Sequence, residues 1–289
     1  MYEKNVTKLV NKLIKQCHAA KIEFEIICFD DGSSEKIKTQ NKAIDLLIGV
    51  NYVELSENKG RAKIRNMLAK TARYDHLLFL DCDTVLKGSK LIKNYLPYLK
   101  GRGVCSGGRE YQNKPPKDTS KKLHWTYGHK RESKSEGFRN KNHVSYFHSN
   151  NFVIDRHTMM ENPFDESIQG YGYEDLAMAH QLDQRKVSIL HIDNPIRHDG
   201  LESFEVFMKK AQNSVINLFD LYKQGRVPHT RLIKAYKYLD TYYFKDRYIR
   251  WMSSRQGKMI QNLSENPSKL YRLDLLKLYW MCKESLKWE

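Results

Sequence analysis

The chain has 289 residues, of which 40% are hydrophobic, and carries a formal net charge of +16. That length fits one large domain, or one domain with a helical annex, and the composition supplies a core. The charge favours anionic partners such as phosphorylated substrates, acidic lipid headgroups or nucleic acid. The five cysteines, Cys17, Cys28, Cys82, Cys105 and Cys282, include no C-x-x-C pair. A disulfide framework or a thiolate zinc site is therefore not expected.

Periodicity predicts helix over Val6 to Ala20, then a strand over Phe24 to Phe29 that runs into Asp30, Asp31 and Gly32. A helix over Lys36 to Ile48 and a strand over Tyr52 to Leu55 follow. Gly60 precedes a helix over Arg61 to Ala72, and His76 to Leu80 reads as the next strand. Helix is expected over Ser89 to Leu99 and strand over Gly103 to Ser106. Tyr111 to Asn142 has no clear period and is too long for an ordinary connection, which marks it as functional or mobile. A strand over Val144 to Ile154, a helix over Glu174 to Gln184 and a strand over Val187 to Ile192 close this part. The alternation implies an α/β fold with a mainly parallel sheet, whose ligands bind at the carboxyl ends of the strands. Beyond Leu201 the pattern is helical, so the expected domains are residues 1–200 and a helical extension over residues 201–289.

The string LDCD places Asp81 and Asp83 where a strand ends. On an extended chain they share a face, with Cys82 turned toward the core. Two adjacent carboxylates repel unless a cation holds them, and Mg2+ or Mn2+ typically bridges carboxylates and substrate phosphates. A lone D-x-D also suits a solvated strand end or a helix cap. The DDGSS turn offers Asp30 or Asp31 to a nucleotide base, although it equally reads as a turn before a capped helix. In NKGRAKIRN, Lys59, Arg61 and Arg65 are placed to meet a diphosphate, with Arg61 and Arg65 on one helix face; an ordinary basic helix fits as well. In GYGYEDLAMAHQL, Tyr171 and Tyr173 can stack on a sugar ring, and Glu174 and Asp175 open a helix whose dipole favours their ionised form. An ionised carboxylate facing a cleft is what a general base requires. His198, just past a strand, is a candidate nitrogen ligand or a structural histidine.

The ordered series DDGSS, NKGRAKIRN, LDCD, NNFVIDR…NPFDESIQGYGYEDL and HDG resembles the inverting nucleotide-sugar glycosyltransferases of family 2, of the kind that build bacterial polysaccharide and lipopolysaccharide. The resemblance spans residues of about 5 to 200. It implies a GT-A (Rossmann-like) fold with a mixed, mainly parallel sheet, flanking helices and a C-terminal helical annex. It further implies that Asp30 or Asp31 holds the base, usually uracil, and that Arg65 lies by the nucleotide. Asp81 then faces the ribose or sugar and Asp83 binds Mn2+ or Mg2+, with His198 a third metal ligand in some members. Asp175 matches the general base, and Glu174 beside it positions the acceptor. Members of that family usually open with an apolar strand and a Pro-x-Tyr-Asn turn, of which Tyr2 and Asn5 read as a remnant. The expectation is therefore either a start further upstream or a domain that does without that strand.

The basic segment from Gln112 to His143 has nine Lys/Arg against three Asp/Glu, which suits an anionic glycan or lipid-linked acceptor. Trp125, Tyr127 and Phe138 are its candidates for sugar stacking, and Lys121, Lys122 and Lys130 for charge. The amphipathic helices from Thr230 to Trp288 either bury their apolar faces against the α/β part or lie in a membrane interface. No apolar run approaches the roughly 20 residues that span a bilayer, so the expected location is cytosolic, or on a membrane without crossing it. Competing expectations are a sugar nucleotidyltransferase, which lacks its Gly-rich phosphate loop here, an inactive transferase-like chain, and a basic module binding polyanions. No nucleic-acid motif is present, so nucleic acid is not an expected partner.

Overall fold

The computed structural model describes residues 1–168 and 170–288. Gln169, the residue before the predicted GYGYEDLAMAHQL motif, and Glu289, the last residue of the predicted extension, lie outside the described residues. The N-terminal part contains α1 (Thr7–Ala20), β1 (Ile26–Asp30), α2 (Glu35–Lys42), β2 (Val50–Glu54), α3 (Arg61–Thr71), β3 (His76–Leu80), β4 (Thr84–Val85) and α4 (Leu91–Tyr95). Next come β5 (Val104–Ser106), β6 (Arg109–Glu110), α5 (Lys122–Tyr127), α6 (Glu136–Lys141), β7 (Asn151–Asp155), α7 (Arg156–Glu161), α8 (Glu174–Gln184), β8 (Ile189–His191) and β9 (Ile196–His198). The chain ends in α9 (Phe204–Lys223), α10 (Arg231–Thr241), α11 (Lys245–Ser253), α12 (Gln256–Glu265) and α13 (Tyr271–Ser285).

The strands form a four-stranded sheet in the order β3-β7-β5-β8, a parallel pair β1-β2, and a small sheet β4-β9-β6. β7 runs antiparallel to both β3 and β5, while β5-β8 and β6-β9 are parallel. The sheets are thus mixed, with β7 supplying the antiparallel element inside the largest one. Beside β1, the Met1 amino group donates to Phe29 O at 2.5 Å and Asp31 N–H donates to Met1 O at 2.6 Å.

Alternation along the strands divides the core. Leu77 and Phe79 of β3, Phe152 and Ile154 of β7 and Val104 of β5 face a layer with Ala62 and Ala69 of α3, Met159 of α7, and Met178 and Leu182 of α8. Leu78, Leu80, Val153 and Cys105 face the opposite layer, where Leu13 of α1 and Leu91 and Ile92 of α4 pack. A period of two produces this division, since successive side chains leave opposite faces of a strand.

Two expectations need revision. Only Asn151–Asp155 of the predicted Val144–Ile154 strand is extended. The segment without a period contains α5, a π-helical turn over Gly128–Glu132, and α6. Leu123 of α5 packs with Phe207 of α9 and Leu273 of α13, partners too remote in sequence to leave a local pattern. Buried Arg139 of α6 donates to the carbonyls of Ser106, Gly107 and Ile192, pinning α6 against the sheet end. The C-terminal helices bury their apolar faces against the α/β part: Leu176 and Ala177 of α8 share a cluster with Val215, Leu218 and Phe219 of α9 and Ile233 of α10. No helix among the described residues is long and apolar enough to cross a membrane.

Phe152 is fully buried, and its ring stacks on Phe79 at 4.9 Å. Truncation to Ala is expected to cost about 3–5 kcal/mol, read as a lowered denaturation midpoint with an unchanged slope.

Candidate active site

The site is assembled from the carboxyl ends of β1 and β3, the N-termini of α3 and α8, and the β4–β9 ladder. The DDGSS turn is held from within. Asp30 is fully buried; its carboxylate accepts from Ser33 N–H at 2.7 Å and from the Tyr52 hydroxyl at 3.2 Å. Asp31 accepts from the backbone N–H groups of Lys59 at 2.6 Å and Gly60 at 3.2 Å, so it serves as the anion at the start of α3. Gly32 has φ +77°, and a Cβ there would come 2.9 Å from Asn58 N, so the turn between these two contacts requires glycine. Both carboxylates are already engaged in the fold, so a contact with a nucleotide base would use their remaining acceptor capacity.

Asp81 and Asp83 do not share one face of a strand. β3 ends at Leu80, and Thr84 N–H donates to Asp81 O at 3.1 Å, closing a turn. The turn sends the two carboxylates to different partners and leaves Cys82 half-buried. Asp81 Oδ1 accepts from Arg65 Nη2 at 2.9 Å. Burial opposes ionisation of Asp81, but Arg65 and Arg61 outweigh it and hold the carboxyl down at about 2. Buried Arg65 also lies 3.7 Å from Glu174 Oε1, with its guanidinium 5.3 Å from the Phe164 ring centroid. Arg61 reaches the same Glu174 oxygen at 3.6 Å and lies 4.7 Å from the Tyr171 ring centroid. Lys59 pairs with Glu57. The basic helix start is therefore tied to the acidic helix start and to Asp81.

Asp83 faces His198 across the β4–β9 ladder, in which Thr84 pairs with His198 and Val85 with Arg197. Asp83 Oδ1 and His198 Nδ1 are 3.3 Å apart, and neither buried atom has a hydrogen-bond partner. A Cβ on Gly200 would fall 2.1 Å from Asp83 Oδ2 and 3.0 Å from His198 Cε1, so glycine keeps this corner open. An oxygen and a nitrogen donor, both unsatisfied, beside reserved space suit a divalent ion. No group of three or more His, Cys, Asp or Glu side chains forms a ligand set among the described residues. Mg2+ or Mn2+ fits two such ligands because it keeps waters and substrate phosphates in its other positions. Asp81, engaged with Arg65, is not part of the pair.

At α8, Glu174 is buried and accepts from Gly172 N–H at 3.2 Å. Burial, and then the charge of Asp175, push its pKa up, against the pull of Arg65 and Arg61. Half-buried Asp175 accepts a 2.5 Å hydrogen bond from the Ser149 hydroxyl. Tyr171 lies between cations, with Lys210 Nζ 4.8 Å from its ring centroid in addition to Arg61. Tyr173 takes a left-handed conformation (φ 71°) and packs into the helical cluster, which leaves Tyr171 nearer the cleft. Trp125 donates from Nε1 to Gln112 O at 2.7 Å and stands 4.5 Å from the His129 ring. Lys130 donates to Ser268 O at 3.0 Å and Lys121 lies 3.9 Å from Asp118, so both are at least partly committed.

Other polar residues sit in the same cleft without a legible motif. Arg109 pairs with Glu132 at 3.4 Å, and Glu132 also accepts from the Tyr111 hydroxyl. Burial is the largest influence on Glu132 and opposes its charge, but Arg109, the Tyr111 hydroxyl and the neighbouring imidazoles together outweigh it and bring the carboxyl down to about 2. Burial pushes His148 down to about 3 and His124 to about 4, so both are neutral near pH 7. Nothing in the sequence singled out Arg109, and Glu132 was only an acidic residue in a segment without a period.

Residues 2–161 match the model of Glycosyl transferase family 2. The chain belongs to that family. Among curated relatives, poly-beta-1,6-N-acetyl-D-glucosamine synthase of Staphylococcus aureus is 34% identical (strain COL) or 39% identical (strain MSSA476) over 100 residues. That match takes in 31% of this chain and 22% of the relatives' length. Among solved structures, the mannosyltransferase PcManGT from Pyrobaculum calidifontis, in complex with GDP-Man and Mn2+, superposes with a TM-score of 0.62 at 12% identity. It is covered to 85%, with 99% of this chain. S. aureus TarS gives a TM-score of 0.53 at 16% identity, over 99% of this chain and 54% of TarS. These likenesses establish the GT-A fold.

The Asp81 carboxyl titrates lower in the folded than in the unfolded chain, from 3.8 to about 2. Its stabilisation is therefore complete above about pH 5 and is lost as the pH falls through about 2. The stability difference between wild type and Asp81→Asn is expected to be flat from pH 8 to pH 5 and to shrink below about pH 4, by on the order of 2 kcal/mol in full. Urea unfolding at each pH measures it.

Proposed function

We propose that the chain transfers a sugar from a nucleotide-sugar, with UDP as the nucleotide, to a hydroxyl of a glycan or lipid-linked acceptor, and that Asp175 is the general base. The observation that carries the reading is the meeting, around one cleft, of the unpartnered Asp83–His198 pair with Asp175 at a helix N-terminus. Arg61 links Asp81 to the start of α8: desolvation works against its charge, and the carboxylates of Asp81, Glu174 and Asp175 outweigh it. In this reading residues 1–200 carry the transfer and residues 201–289 are an extension that braces α5 and α8.

Asp83 and His198 would hold Mn2+ or Mg2+, which when bound neutralises charge on the departing nucleoside diphosphate. Asp81 keeps one oxygen for a ribose or sugar hydroxyl while the other stays on Arg65. Asp175, oriented by Ser149, takes the proton of the acceptor hydroxyl. The hydroxyl oxygen bonds to the anomeric carbon as the bond from that carbon to the phosphate oxygen breaks. Attack from the face opposite the leaving group, and hence inversion, rests on the family resemblance. The neighbours' ligands support a nucleotide donor in general: PcManGT holds GDP-Man and Mn2+, and a TarS structure with a TM-score of 0.50 holds UDP.

Thermal shift with UDP and GDP, with and without Mn2+, tests the donor side. The wild type is expected to be stabilised by UDP in a Mn2+-dependent way, and Asp83→Ala to lose that dependence. Asp175→Asn is expected to keep nucleotide binding and lose about 10²–10⁴-fold in kcat. Stabilisation by no nucleotide, or full turnover by Asp175→Asn, would sink the reading.

An acceptor at a lipid surface is favoured by the corner between α10 and α11. Tyr238, Tyr242, Tyr243 and Phe244 are exposed there, with Trp251 on α11, among Lys234, Lys237, Arg247 and Arg250. Aromatic rings with basic side chains suit an anionic membrane interface. Flotation with phosphatidylglycerol vesicles, but not phosphatidylcholine vesicles, is expected, and Tyr243→Ser with Phe244→Ser should weaken it at least threefold. Equal recovery with both lipids would argue against the contact.

A further inference from the structure

We infer that Asn150 recognises a neutral hydrogen-bonding substituent, a hydroxyl or an acetamido group, on the sugar being transferred; this rests on the nucleotide-sugar reading above. Asn150 stands immediately before β7. Its carbonyl accepts from Asp81 N–H at 3.3 Å, which fixes it beside the donor-side carboxylate. The preceding residue, Ser149, donates to Asp175. Asn150 thus contacts the backbone of Asp81 itself, while the residue before it holds the candidate base. The reacting carbon has to sit between the departing diphosphate and the base, so this is where the transferred sugar would lie.

The side chains on either side are fully used. Ser149 is bound to Asp175; the Asn151 amide donates to Gly108 O and Asn194 O, both at 2.9 Å, and accepts from the Tyr95 hydroxyl at 2.7 Å. Asn150 is the exception. It is 3% exposed, and neither its Nδ2 nor its Oδ1 has a partner among the described residues. A buried carboxamide with both ends unsatisfied lowers stability, and an apolar side chain of that size would serve packing better. The arrangement makes sense if a ligand completes it. A carboxamide both donates and accepts, so it is matched by a group that does the same. Hydroxyl and acetamido substituents qualify. A carboxylate only accepts, would leave Oδ1 unpaired and would place two oxygens in opposition, so the substituent that meets Asn150 is not a carboxylate.

The experiment compares full-length wild type, Asn150→Ala and Asn150→Asp, the last keeping shape while removing the donor. Calorimetry with Mn2+ measures UDP, UDP-glucose, UDP-N-acetylglucosamine and UDP-glucuronic acid, with GDP and GDP-mannose as the guanosine counterparts. Both variants are expected to bind the nucleoside diphosphate within about twofold of wild type and the preferred neutral nucleotide-sugar at least about tenfold more weakly. Without ligand, Asn150→Ala should melt at the wild-type temperature or above it, because no protein hydrogen bond is lost. A ligand-free melting temperature several degrees lower, with diphosphate and sugar-nucleotide binding lost together, would make Asn150 a structural residue and overturn the inference. So would unchanged nucleotide-sugar affinity in both variants, or a loss in the variants confined to UDP-glucuronic acid. A wild type that binds no nucleotide removes the nucleotide-sugar reading itself, an outcome distinct from wild-type binding that the variants leave untouched.

Discussion

The buried guanidinium of Arg65 is the contact on which the site's geometry depends. It reaches Asp81 at the end of β3, Glu174 at the start of α8, and the face of Phe164 in the segment between α7 and α8. Three separate stretches of sequence are thereby referred to one point on α3. A charge this well buried is tolerable only when its partners are fixed. The same pairing makes Asp81 a permanent anion with one committed oxygen. That is why the two aspartates of L-D-C-D differ in surroundings: Asp81 is paired with a guanidinium, and Asp83, turned away by the Asp81–Thr84 turn, faces the His198 imidazole.

The second constraint is the short β4–β9 ladder. Two residue pairs of antiparallel strand bring Thr84 opposite His198 and so set Asp83 against the imidazole. Tyr111 supports this corner, its ring centroid 5.5 Å from that of His198, and its hydroxyl leads on to Glu132 and Arg109. The corner is thus coupled through packed side chains to the basic segment before β7. α5 in turn rests on α9 and α13, and α8 on α9 and α10. The C-terminal helices support both the side that carries Asp175 and the side that carries Trp125 and Glu132.

Legibility in the sequence followed the range of the interactions. His76–Leu80 and Glu174–Gln184 were predicted to the residue because a local apolar run or a local acidic start defines them. β4, β6 and β9 are two or three residues long and exist only through pairing with distant partners, so they left no period to read. The helix around Leu123 was illegible for the same reason. In the site, residue types in order were enough to nominate Asp83, His198 and Asp175. They did not show that Asp30 and Asp31 brace the turn they create, nor that Arg65 answers Asp81. Ser149 and Asn150 fell inside the predicted Val144–Ile154 strand, where nothing marked them out. Only burial and the tally of hydrogen-bond partners separate them.

The net charge of the chain is a poor guide to the charge of the cleft. Asp81, Asp83, Glu132, Glu174 and Asp175 stand there against Arg61, Arg65 and Arg109, with the nearby histidines at positions 124 and 148 held neutral by burial. The cleft is acidic even if Glu174, whose pKa burial raises, holds a proton. A nucleoside diphosphate entering it meets like charge, which is unfavourable in a partly desolvated site. The surplus of lysine and arginine lies mainly elsewhere, on the exposed faces of α10 and α11 among other places. A donor with two phosphates is therefore compatible with this cleft when a divalent cation accompanies it, and the unpartnered Asp83–His198 pair is the place in the cleft that suits one.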